Sequence, residues 1–94
     1  MADLQVTCIT KFQRQNTHEA ITHLGGPGSG AIPAWYSTRQ QVIDLINGGV
    51  HTFYTRVNGV RANVEVRGYR PNQYLQTRAD GDWNNNLLAL PDCA

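Results

Sequence analysis

The chain has 94 residues, is 40% apolar and 16% charged, and carries a formal net charge of +1. A chain of this length is expected to form one domain, residues 1–94, burying about 60–65% of its unfolded surface. The balance excludes a disordered chain and bulk electrostatic attraction to nucleic acid, and no apolar run approaches the ~20 residues of a helical membrane span. Seven of the eight basic residues are arginine, with Lys11 the exception. Arginine suits bidentate contact with carboxylate or phosphate and stacks on flat rings. The start of the chain reaches Lys11 and Arg14 without an apolar run of signal-peptide length. Two cysteines, Cys8 and Cys93, do not make a secreted disulfide framework. The expected location is therefore cytoplasmic, with both thiols reduced.

Residues 4–10 alternate and are rich in β-branched types, which predicts a strand with Leu4, Val6 and Cys8 facing the core. Residues 11–18 are polar and aperiodic, hence loop. Thr17 is placed to cap a short helical turn through Leu24, and a short strand fits the same residues; periodicity does not separate the two at this length. Gly25 to Gly30, with Pro27 and Ser29, reads as a loop. Residues 38–47 read as the main helix. Ser37 and Gln40 have capping-box spacing, Val42, Ile43 and Ile46 share a stripe, and Gly48-Gly49 ends it.

Asn58-Gly59 is a strong hairpin signal, because both central residues of a type I′ turn need positive φ. A two-residue loop sets Val57 opposite Val60, Arg56 opposite Arg61, Thr55 opposite Ala62, Tyr54 opposite Asn63 and Phe53 opposite Val64. Paired residues share a face. Phe53, Thr55, Val57, Val60, Ala62, Val64 and Val66 then make a core face, and Tyr54, Arg56, Arg61, Asn63, Glu65 and Arg67 the other. A longer connection follows, including Pro71. Residues 74–78 read as the next strand, with Leu75 and Thr77 inward and Tyr74, Gln76 and Arg78 on the polar face.

The segments "VTCITK", "HEAITHLGG", "INGG", "FY", "YLQTRADG" and "NNLLALPDC" occur in this order along nearly the whole chain. In that combination the sequence resembles a family of short bacterial and phage proteins catalogued as a domain of unknown function. The resemblance implies a stand-alone protein of about this length, and carries over no activity and no catalytic residues. The stretch "PGSGAIPA" is longer and richer in glycine than the family pattern.

Four chemistries compete for the remaining residues. Asp80, Asp82 and Asn84 have the first spacings of a calcium loop, but its sixth position would be Asn85 instead of glycine and its twelfth Pro91 instead of glutamate. A turn that folds Leu87, Leu88 and Leu90 onto the core accounts for the segment better. Cys8, Cys93, His18 and His23 suggest zinc, without the close cysteine pair of a zinc finger. No spacing sets a nucleophile beside a base. The Gly25–Gly30 loop lacks the Gly-Lys-Ser/Thr ending of a P-loop. The polar sheet face is different: Arg56, Arg61, Arg67 and Arg78 with Tyr54 and Tyr74 can stack bases and hold phosphates.

The expectation is an α+β fold, an antiparallel sheet of about four strands in β-α-β-β-β order with the main helix on its apolar face and residues 84–93 packed along the edge or across the core. The expected function is a non-catalytic binding module for a phosphate-bearing ligand, nucleic acid or nucleotide, using those six residues, with no cofactor, no metal and no membrane partner. The alternatives are a module for a protein partner, such as an inhibitor encoded by phage or mobile DNA, and a small enzyme using Cys8 or His23.

Overall fold

The computed structural model of the chain, which describes residues 2–70 and 72–93, is α+β as expected, with its strands divided between two sheets. The elements are β1 (Ala2–Gln5), β2 (Cys8–Lys11), β3 (Ile21–Gly26), β4 (Trp35–Thr38), α1 (Arg39–Asn47), β5 (His51–Val57), β6 (Val60–Arg67), β7 (Tyr74–Ala79) and β8 (Asp82–Asn84), with 3-10 turns at Phe12–Arg14 and His18–Ala20. The larger sheet runs β1-β5-β6-β7-β8 and the smaller β2-β3-β4. The larger sheet is mixed, since β1 lies parallel to β5 while the other neighbours are antiparallel. Pro71 lies outside the described residues.

The strand expected over residues 4–10 is two strands. The chain changes sheets at Val6 and Thr7: the Val6 N–H donates to Tyr54 O in the larger sheet and the Thr7 N–H to Gly25 O in the smaller, each at 2.8 Å. The inward alternation therefore resets. Leu4, Val6 and Ile9 are buried, and Cys8 turns outward. The sheets come close enough there that a methyl group on Gly26 would collide with the Gln5 carbonyl oxygen. Both readings of residues 18–24 are realised in sequence, as a 3-10 turn followed by β3, although Thr17 makes no side-chain cap.

Helix α1 starts one residue later than expected. Thr38, not Ser37, is the cap: its hydroxyl accepts from Gln41 N–H while the Gln41 side chain accepts from Thr38 N–H. Such a cap is worth about 1 kcal/mol. Val42 and Ile43 are fully buried, and Leu45 and Ile46 pack against the core they join. That core takes Leu4 and Phe53 from the larger sheet, Ile9 and Leu24 from the smaller, and Leu87 from the C-terminal segment.

The hairpin register is as expected from Val57–Val60 to Tyr54–Asn63. Asn58 (φ 51°) and Gly59 (φ 77°) supply the two positive dihedrals. Two corrections apply. Phe53 and Val64, expected as a cross-strand pair, are both buried but lie beyond the last paired position. Val60, expected on the core face, is half exposed because the hairpin tip extends past the core. The stretch after β7 is a second hairpin: Asp80 (φ 53°) and Gly81 (φ 82°) turn the chain back into β8.

The C-terminal segment crosses the core as a clasp. Leu87 is fully buried, Leu88 and Leu90 pack beside it, and Cys93 N–H donates to Ile9 O at 3.0 Å. Cys8 and Cys93, expected as reduced thiols, are joined in a disulfide that closes a sequence separation of 85 residues. Sequence distance hid the pair, since β2 and the chain end meet only in the fold.

Leu87→Ala should lower the unfolding free energy by about 2–5 kcal/mol in urea titration, the cost of an emptied core position. A loss under 1 kcal/mol would mean that the clasp contributes little. Cys93→Ser should cost about 2–4 kcal/mol through the freed loop. Equal melting temperatures with and without reductant would contradict that.

Candidate functional site

The two hairpins decide which side chains stand together on the outer face of the larger sheet. Pairing sets Gln5, Tyr54, Asn63, Arg78 and Trp83 in one row across five strands. On neighbouring rows Arg56 faces Arg61, Glu65 faces Gln76 and Arg67 faces Tyr74. The intervening residues, among them Phe53, Thr55, Ala62, Val64, Leu75 and Thr77, are buried on the other side.

The six expected residues fall into two groups and one outlier. Arg61 forms a salt bridge with Asp3 on β1, and its guanidinium lies 4.0 Å from the centre of the Tyr54 ring. That turn away from Arg56 relieves the like-charge pairing across the hairpin. Arg67, Arg78 and Tyr74 form the second group, and they gather round a residue the sequence reading missed, Trp83. The Arg67 guanidinium lies 4.2 Å and that of Arg78 5.3 Å from the indole centre. Arg67 also donates to Gln76 Oε1 at 2.7 Å and stands 6.0 Å from the Tyr74 ring. The Arg78 Nε–H donates to Gly81 O at 3.3 Å. Arg56 stands near the hairpin tip, opposite Arg61 on the neighbouring strand, and among the described residues it makes no salt bridge.

Among the described residues the salt bridge to Asp3 is the only one. Arg67 and Arg78 are thus held by neutral partners: a ring, an amide and a carbonyl. Each cation–π contact is worth about 0.5–1 kcal/mol at an exposed site. It restricts side chains that otherwise lose about 2 kcal/mol of rotamer entropy when fixed, and leaves their charge uncompensated. Trp83 remains 37% exposed. The signal for it was in the sequence: Asp80-Gly81 is a hairpin dipeptide, and a two-residue turn there puts Trp83 opposite Arg78.

His18 stands at the end of this group, its ring 6.5 Å from that of Tyr74. Its Nε2 is buried and has no hydrogen-bond partner among the described residues. Burial pushes its pKa below the ordinary imidazole value; Glu19 raises it again and nearby Arg67 lowers it further. The ring is therefore mainly neutral at pH 7 and adds little positive charge to the arginines.

The smaller sheet carries the other candidate residues. His23 stacks on Tyr36 at 4.9 Å, and the Tyr36 hydroxyl bonds the Thr10 hydroxyl at 2.9 Å. Beside them a cleft of about 630 Å³ is lined by Thr7, Gly26, Pro27, Trp35, Tyr36 and the disulfide. In the disulfide neither Cys8 nor Cys93 offers a thiolate to a metal or a substrate. Among the described residues no three His, Cys, Asp or Glu side chains are grouped to hold a metal ion. The glycine-rich loop begins at Pro27, since Gly25 and Gly26 belong to β3, and it closes on itself through Ser29 and Ile32. No helix among the described residues is long and apolar enough to cross a membrane.

No curated protein and no solved structure matches the chain. Residues 5–91 match the family model described as "Protein of unknown function (DUF3892)". That match takes in β2 to β8, the helix, the last residue of β1 and most of the clasp, and by it the chain belongs to this family of proteins of unknown function.

Proposed function

We propose that the protein is a non-catalytic binding module for a phosphate-bearing ligand, nucleic acid or nucleotide. The ligand would be held at Arg67 and Arg78 round Trp83, with Tyr74 beside them and Arg61, Arg56 and Tyr54 as the flank. One observation carries the reading: two guanidiniums converge on an exposed indole, and among the described residues no carboxylate is paired to either. Planar guanidiniums match phosphate oxygens in bidentate geometry, and an exposed aromatic offers a base a stacking surface. The arrangement is already restrained by Gln76 and the ring, so less entropy is lost when an anion binds.

A protein partner, including one met by a factor encoded on phage or mobile DNA, is the second reading. Its support is Tyr69, 91% exposed beside Arg70 in the β6–β7 connection, since tyrosine and arginine are favoured at interfaces. A cytoplasmic location belongs to the first reading, because phosphate-bearing ligands of this class are concentrated there. The Cys8–Cys93 bond weighs against it, as disulfides are rare in reducing compartments.

Binding of a labelled single-stranded oligonucleotide or nucleotide, followed by fluorescence polarisation across a salt series, tests the proposal. Arg67→Ala and Arg78→Ala should each weaken binding by roughly tenfold and reduce the salt slope by about one unit for each phosphate left unneutralised. Arg56→Ala should change affinity less. Binding that ignores salt, or survives the Arg67→Ala/Arg78→Ala double substitution, would overturn it.

A further inference from the structure

Strands β5 and β6 are paired from the turn only as far as Tyr54–Asn63, although β5 runs back to His51 and β6 on to Arg67. Beyond that pair a cleft of about 400 Å³ opens, floored by Ile46, Phe53 and Val64. The polar groups on its walls differ in how far they are committed. Asp3 accepts from Arg61 and from the Thr52 hydroxyl, so three of them satisfy one another. Asn63 and Glu65 also line the cleft, and among the described residues neither side chain has a hydrogen-bond partner. They lie two positions apart on one strand face, roughly 7 Å.

A carboxylate beside an amide selects for a particular edge. The carboxylate accepts from two adjacent N–H donors, and the amide NH₂ donates to an acceptor next to them. Among the common bases only the Watson–Crick edge of guanine offers this set, N1–H and the exocyclic amino group beside O6. Adenine presents one donor and one acceptor, cytosine one donor and two acceptors, and uracil a single N–H between two acceptors. The cleft is also within nucleotide reach of the arginines, since Asn63 is paired directly with Arg78 and Glu65 with Gln76, the residue that holds Arg67.

We propose that the cleft between β5 and β6 is a guanine slot, with Glu65 accepting from N1–H and the amino group and Asn63 donating to O6. This rests on the phosphate reading above and narrows it: the ligand is a guanosine phosphate, free or within a strand, with its phosphate on Arg78 and Arg67.

Equilibrium dialysis of the full chain against GMP, IMP, AMP, UMP and unphosphorylated guanosine tests it. GMP should bind at least about fivefold more tightly than AMP or UMP, the discrimination of one bidentate pair. IMP, which lacks the amino group, should bind more weakly than GMP, a comparison that needs no variant. Glu65→Gln, near isosteric and at a partly buried position, should bring GMP to the level of AMP. Equal binding of all four nucleotides, dependent on Arg67, would overturn the slot and leave the phosphate reading standing. Glu65-dependent binding of guanosine, with no gain from the phosphate, would keep the slot and remove the phosphate reading. No binding of any of the five would remove both. Tighter binding of a guanine-containing oligonucleotide than of GMP would assign the guanine to a strand, and the reverse would assign it to the free nucleotide.

Discussion

The register of the hairpin at Asn58-Gly59 is the constraint on which the face of the larger sheet depends. Side chains alternate with a period of two, so a slip by one residue would exchange the two faces of β6. Arg61, Asn63, Glu65 and Arg67 would enter the core, and Ala62 and Val64 would meet water. Burying four polar side chains without partners would cost far more than the whole net stability of a chain this size, about 5–15 kcal/mol. The turn dihedrals and the burial pattern select the same register independently. The arginine arrangement is thus fixed by the core on the other side of the strand.

This is why the face was legible from the sequence while the sheet around it was not. Alternation over β5 and β6, with the Asn-Gly turn, is local information, and it placed Tyr54, Arg56, Arg61 and Arg67 correctly. The change of sheets at Val6–Thr7 is not local. Residues 4–10 alternate through it without an evident break, and the reset shows only in which residues are buried: Leu4 and Val6 before it, Ile9 after it. The same limit hid the parallel pairing of β1 with β5, and with it Asp3, the carboxylate that holds Arg61. The smaller sheet was missed because β3 and β4 are short and flank a glycine-rich loop. The cap moved by one residue because Ser37-Gln40 and Thr38-Gln41 offer the same spacing.

Aromatic and charged groups on the face are partitioned in a way that composition does not show. Asp3 is spent on Arg61. Glu65 is opposite Gln76, a neutral neighbour, and Gln76 is the hydrogen-bond partner of Arg67. Arg67 donates to this amide, and among the described residues it makes no salt bridge with Glu65. A direct Glu65–Arg67 pair would have been a surface salt bridge worth about 0–1 kcal/mol. Its absence leaves an anion-binding and a donor-binding group side by side, an arrangement with little stabilising value of its own.

Trp83 connects this face to the clasp. Strand β8 has three residues and lies at the edge of the sheet, too short to hold its place by pairing with β7 alone. It is fixed at its far end. Asn84 accepts from the Thr77 hydroxyl and from the Asn86 N–H, Asn86 reaches back to Val60 O, and Leu87 is buried directly after. The next residues run to the disulfide on the smaller sheet. Asp80 and Asp82, which share the spacing of a calcium loop, instead form part of the turn and open β8 respectively. The position of the indole, and with it the convergence of Arg67 and Arg78, is thus set by apolar burial a few residues along the chain. Residues 85–93 anchor the strand that holds the aromatic centre of that face.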